Sequence, residues 1–145
     1  MSGDPLNKEK LLPYLANNID GFSNLKNVKK FSIGQSNPTF LLETDRVSYV
    51  IRRKPDGPLL KSAHAIDREY RVQKALDDTP VPVAKMLHYC DDKSILGVDF
   101  YIMEFVDGVV YEDPALPGLT SRDREKVFSE INRGLSSLHL SLIHI

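Results

Sequence analysis

The chain has one cysteine, Cys90, and no tryptophan. A lone cysteine excludes an internal disulfide and fits a reducing compartment. An excess of one charge sign is also missing: 19 basic residues stand against 20 acidic ones, a net charge of −1. No global field therefore recruits nucleic acid or an anionic membrane, and any basic site must be local. No apolar run approaches the roughly 20 residues of a membrane span. The opening stretch MSGDPLNKEKLLPYLANNI mixes acidic and basic residues early and has no signal-peptide core, nor does it read as a transit peptide. A cytoplasmic location is the default expectation. Internal repeats and low-complexity tracts are absent as well.

What remains is 145 residues, 41% of them hydrophobic, enough for one domain with a core. Residues 6–18 read as a short amphipathic helix with Leu11, Leu12 and Leu15 on one side, although Pro13 fits only a first turn. Strand signals follow: KKFSI up to a turn, TFLLET leaving it, and RVSYVIRR after a second turn. Along the last, Val47, Tyr49 and Ile51 point one way, and Ser48, Val50 and Arg52 the other. KPDGP breaks the sheet. Residues 59–77 read as a helix, ended by TPVPVA. AKMLHYC is a short strand, DDKSILG a turn and VDFYIMEFV an apolar strand stopped by Asp-Gly. After the loop YEDPALPG, Thr120 or Ser121 caps a last helix to about His139. The order β-β-β-α-β-β-loop-α implies an α+β unit: a five-stranded, mostly antiparallel sheet with one helix inserted after its third strand.

Glu69 raises the first chemical question. On its helix the neighbours at i−4, i+3 and i+7 are Ala65, Val72 and Leu76, so the charge sits in an apolar stripe. A buried carboxylate needs a partner. The plainer alternative is a surface acid beside Arg68 or Arg71. The sharper reading pairs Glu69 with Arg52, at the end of the strand just before the helix. YVIR has the layout of the kinase VAIK strand, where the cation holds nucleotide phosphates and a helix acid orients it. Arginine's planar fork can grip phosphate and carboxylate together. Otherwise Arg52 and Arg53 are the polar end of a strand. The turn GQSNPTF then acquires a role, since a glycine followed by small polar residues lets backbone N–H groups and hydroxyls approach phosphate oxygens. It is neither a Walker loop nor a GxGxxG loop, and alone it reads as a turn. MEFVDG fits a hinge in which an extended backbone offers hydrogen bonds to an adenine edge.

These segments together resemble the N-terminal lobe of the aminoglycoside phosphotransferase and choline-kinase-like family. More narrowly they resemble the phosphotransferase-like domain of animal acyl-CoA dehydrogenase family members ten and eleven. The resemblance rests on GQSNPTFLL, YVIRRKPDGPLLKSAHAIDREYRVQKAL, TPVPVAKML, LGVDFYIMEFVDG and LPGLTSRDRE, and covers roughly residues 20–139. It implies a protein-kinase-like N-lobe and ATP bound between two lobes, with magnesium in the complete protein. Carried over by position, Arg52 takes the place of the phosphate-binding lysine and Glu69 that of its helix partner. Gly34, Gln35, Ser36, Asn37 and Thr39 take the nucleotide loop, and Met103, Glu104, Phe105 and Val106 the hinge. The implied organisation is an N-terminal helical segment at 1–19, a nucleotide-binding lobe at 20–107, and a hinge loop with the first helix of a second lobe at 108–139. Fusion to an acyl-CoA dehydrogenase domain, and a peroxisomal or mitochondrial location, are expectations for the complete protein.

The chain also departs from the family. The family's catalytic loop, a histidine followed closely by aspartate and then asparagine, follows none of the four histidines here. No catalytic or metal-binding residue is assigned. After His139 the family would continue with a polar turn, whereas residues 140–145, LSLIHI, are apolar and read as a non-native tail. The expectation is a truncated ATP-dependent phosphotransferase with an unknown small hydroxylated acceptor. The alternative is a non-catalytic nucleotide-binding or interaction module.

Overall fold

The computed structural model describes residues 6–32, 36–57 and 65–142. Its first element is helix α1, Lys8–Asn18. Asn7 starts it, in a left-handed conformation, by accepting from the backbone N–H groups of Lys10 and Leu11 through its carbonyl. Pro13 lies inside the helix rather than in its first turn. Its ring stands on the exposed face, while Leu11 and Leu15, one turn apart, are each 1% exposed. Burying two leucines, at about 1.5–3 kcal/mol each, outweighs one missing rung of the helix ladder.

Five strands follow: β1 Leu25–Lys30, β2 Thr39–Thr44, β3 Ser48–Arg53, β4 Met86–Cys90 and β5 Phe100–Glu104. They lie in the order β1-β2-β3-β5-β4, with every neighbouring pair antiparallel. β1 begins earlier than KKFSI suggested and stops before Phe31. The alternation of β3 is as read: Tyr49 and Ile51 join the face with Phe40, Leu42, Phe100 and Ile102, which Leu11 and Leu15 of α1 close. Residues 6–19 thus share one core with the sheet. The opposite face carries Met86 and Tyr101, covered by Ile66 of helix α2, Ile66–Leu76. β5 is buried on both faces, which is why it reads as an unbroken apolar run.

Ala65 precedes α2 and is not helical, so the helix is shorter than the 59–77 reading; residues 59–64 lie outside the described residues. The stripe assigned to this helix also needs correction. Val72 is half-exposed, and the inward face is Ile66, Glu69, Tyr70, Gln73 and Leu76. It is polar in the middle because donors from the sheet and loop meet the Glu69 carboxylate there. DDKSILG is not merely a turn: Lys93–Leu96 form the short helix α3, capped by the Asp92 side chain and closed by Gly97 at φ +77°. Helix α4, Ser121–Leu142, starts at Thr120, whose hydroxyl accepts from the Asp123 N–H. It runs into the first three residues of the apolar tail; residues 143–145 lie outside the described residues. Val127 and Leu138 are partly covered beside Val81 and Pro82, while Ile131 and Leu135 are each 50% exposed.

Candidate functional site

The register of the sheet builds the site. Thr39 of β2 lies opposite Arg52 of β3, and Arg52 lies opposite Tyr101 of β5. Residues directly opposite one another in antiparallel strands project to the same face. These three side chains form a row beneath the first turns of α2, where Glu69 reaches down to them.

Glu69 is the hub. Its Oε2 accepts from Arg52 Nε at 2.8 Å and from the Tyr101 hydroxyl at 3.2 Å. Its Oε1 accepts from the Asn37 amide at 2.9 Å. The predicted ion pair is thus present, with both partners about a third exposed or less. The plainer alternative fails, because Arg71 pairs instead with Asp67 and Glu69 faces the sheet. Arg52 Nη1 donates to the Thr39 hydroxyl at 3.1 Å, and that hydroxyl donates to the Asn37 carbonyl at 3.0 Å. Nη2 makes no hydrogen bond among the described residues. Arg52 is therefore braced on two sides with one edge of its fork free.

The other predicted positions divide. Gly34 and Gln35 lie outside the described residues. Ser36 is exposed, whereas Asn37 is 2% exposed and its amide is spent on Glu69 rather than turned outward. Thr39 likewise holds Arg52. Met103 and Glu104 close β5, opposite Val50 and Tyr49. The Glu104 N–H donates to the Lys85 carbonyl, and its carboxylate accepts from the Lys85 N–H. Phe105 and Val106 follow the ladder, 36% and 63% exposed. The residue that sequence reasoning missed is Tyr101. Burial, with the negative charge of Glu69 behind it, pushes its phenol up to about 12, so it stays a neutral donor. Only the β3–β5 register could have found it.

A five-stranded antiparallel sheet, with a helix packed on one face and its acid holding a strand cation, matches a kinase-like phosphotransferase fold. The chain belongs to the phosphotransferase enzyme family, whose sequence profile matches residues 27–142. It is 46% identical over 110 residues to acyl-CoA dehydrogenase family member 10 of Mus musculus, covering 76% of this chain and 10% of that protein. It is 42% identical over 130 residues to acyl-CoA dehydrogenase family member 11 of the same species, covering 87% of this chain and 17% of that one. Among solved structures it matches a protein of Ralstonia eutropha, named provisionally as an aminoglycoside phosphotransferase. The match has a TM-score of 0.76 and 44% identity, over 91% of this chain and 37% of the other. The chain spans a minor part of the length of each.

Proposed function

We propose that this chain is the nucleotide-binding part of an ATP-dependent phosphotransferase whose acceptor is a small hydroxylated molecule. The observation that carries the reading is Arg52, half-buried and fixed by Glu69 and Thr39, with Nη2 left without a hydrogen bond among the described residues. A guanidinium oriented by a carboxylate, with one edge left to donate, suits a phosphate oxygen. The residues present therefore fit the triphosphate. Bound ATP, with magnesium in the complete protein, supplies the transferable phosphoryl group.

The chain's own residues have separable tasks in this reading. Arg52 binds phosphate and offsets its charge. Glu69 orients Arg52. Asn37 ties the loop to α2, so that loop position and cation position are set together. Met103, half-buried on the Arg52 side of the sheet by strand alternation, offers an apolar contact for a base, and residues 104–106 its edge. Phosphoryl transfer is mainly positioning and charge stabilisation. Among the described residues no group of three or more His, Cys, Asp or Glu is placed to hold a metal ion. In this reading acceptor deprotonation and metal binding belong to the complete protein, for which fusion to an acyl-CoA dehydrogenase domain is proposed from the names of the relatives.

The test is direct. The 145-residue chain should displace a fluorescent ATP analogue when ATP is added, yet yield no phosphorylated product from ATP, magnesium and a panel of small alcohols and aminoglycosides. Failure to compete would refute the nucleotide reading. Steady magnesium-dependent turnover would refute the assignment of catalytic groups elsewhere.

A further inference from the structure

We propose that Tyr101 is a positioning residue for the strand cation: its phenol fixes the Glu69 carboxylate and, through it, the Arg52 guanidinium. The inference deepens the nucleotide-binding reading above and rests on it for its functional consequence.

Three donors meet Glu69, and they are not equivalent. Asn37 comes from the loop, an element that a ligand would contact. Arg52 is itself the group that would bind phosphate. Tyr101, from β5, is fully enclosed, 1% exposed against 27% for the Arg52 side chain. Its ring packs with Ile66 and Met86 and lies 6.0 Å from the ring of Tyr70. A side chain so enclosed has one orientation, and its hydroxyl, which the Gln73 side chain also meets, donates to Glu69 Oε2, the same oxygen that receives Arg52 Nε.

The chemistry follows from this sharing. A carboxylate held only by Arg52 and Asn37 can turn with the arginine and pair with both edges of its fork. Arg52 would then be drawn toward α2 and away from a phosphate. With Tyr101 donating to Oε2, the carboxylate keeps its plane, and Arg52 meets it through Nε with Nη2 still free. Phenylalanine would fill the same space and supply no donor. Tyr89, opposite Tyr101 on β4 and in the same aromatic cluster, provides the control.

The experiment compares the 145-residue wild-type chain with Tyr101→Phe and Tyr89→Phe. Solvent exchange of the Arg52 Nε–H is followed by nitrogen-15 NMR, its signal assigned by loss in Arg52→Lys. Affinities for magnesium ATP and for adenosine, and thermal midpoints, are measured alongside. Tyr101→Phe should speed Nε–H exchange several-fold and weaken ATP by about five-fold, the size of one ordinary hydrogen bond, because the tyrosine acts on the phosphate only through Glu69 and Arg52. Adenosine affinity should hold, and Tyr89→Phe should change neither exchange nor ATP affinity. Unchanged exchange in Tyr101→Phe would overturn the proposal. So would equal weakening of ATP and adenosine with a lowered midpoint, the signature of a merely structural tyrosine. If the wild-type chain binds no ATP, the nucleotide reading falls, and the exchange comparison by itself decides whether Tyr101 positions Arg52.

Discussion

Arg52 and Arg53 are adjacent in sequence and opposite in surroundings. Arg52 projects under α2 into the Glu69 cluster. Arg53 projects to the other face, 6% exposed, and grips Asp56 through Nη1 at 2.9 Å and Nη2 at 2.7 Å. Its Nε, buried, has no partner among the described residues. Alanine at the two positions should therefore do different things. Arg53→Ala should cost about 1–3 kcal/mol of stability through lost packing and an abandoned Asp56, with ATP affinity retained in the folded fraction. Arg52→Ala should lower ATP affinity about ten-fold or more, with a smaller effect on the urea midpoint. Denaturation and ligand titration on both variants check this. The alternation of YVIRR sufficed to separate the two arginines, and the kinase-like layout of YVIR with the helix acid after it, rather than spacing alone, paired Arg52 with Glu69. Asn37 and Tyr101 were not legible as partners of Glu69. One depends on how a loop turns and the other on strand register, and neither is written in local sequence.

Among the elements, α1 and α4 carry similar apolar stripes with different fates. Leu15 of α1 is 1% exposed in the main core, whereas Leu135 of α4 is 50% exposed. Leu15→Ala should cost about 2–5 kcal/mol, since a cavity opens in packed surroundings. Leu135→Ala should cost under about 1 kcal/mol, since little packing is lost. Urea unfolding of the two variants decides. The stripe of α1 was visible from its period, but what covers a stripe is a tertiary fact. The strands TFLLET and SYVIRR were legible because their alternation and turn residues agree. α3 was not, since four residues capped by Asp92 leave no periodic signal.

A second consequence at this scale concerns how α1 is held. Tyr14 of α1 and His88 of β4 share a hydrogen bond of 2.8 Å between hydroxyl and Nε2. Burial lowers the His88 pKa below its ordinary 6.5. The unfolded chain therefore takes up this proton first as pH falls. The contribution to stability is complete above about 6.5, the unfolded value, and is lost as pH drops through the lower folded value. The urea midpoint should decline between pH 7.5 and about 5, and His88→Gln should flatten that decline. An unchanged slope in the variant would contradict the linkage.

For the whole molecule, a net charge of −1 leaves only a local basic site as a means of binding an anion, and Arg52 is the one proposed above. The chain matches 37% of the Ralstonia eutropha structure and 17% of acyl-CoA dehydrogenase family member 11, and the task proposed for it above is to bind and orient a nucleotide. Calorimetric titration of magnesium ATP into the 145-residue chain, wild type against Arg52→Ala, is the most direct measurement. Saturable binding tighter than about 1 mM is predicted for the wild type. It should be lost in Arg52→Ala while circular dichroism shows the same fold. Equal affinity in both chains, or no binding by a folded wild-type chain, would contradict a phosphate site at Arg52.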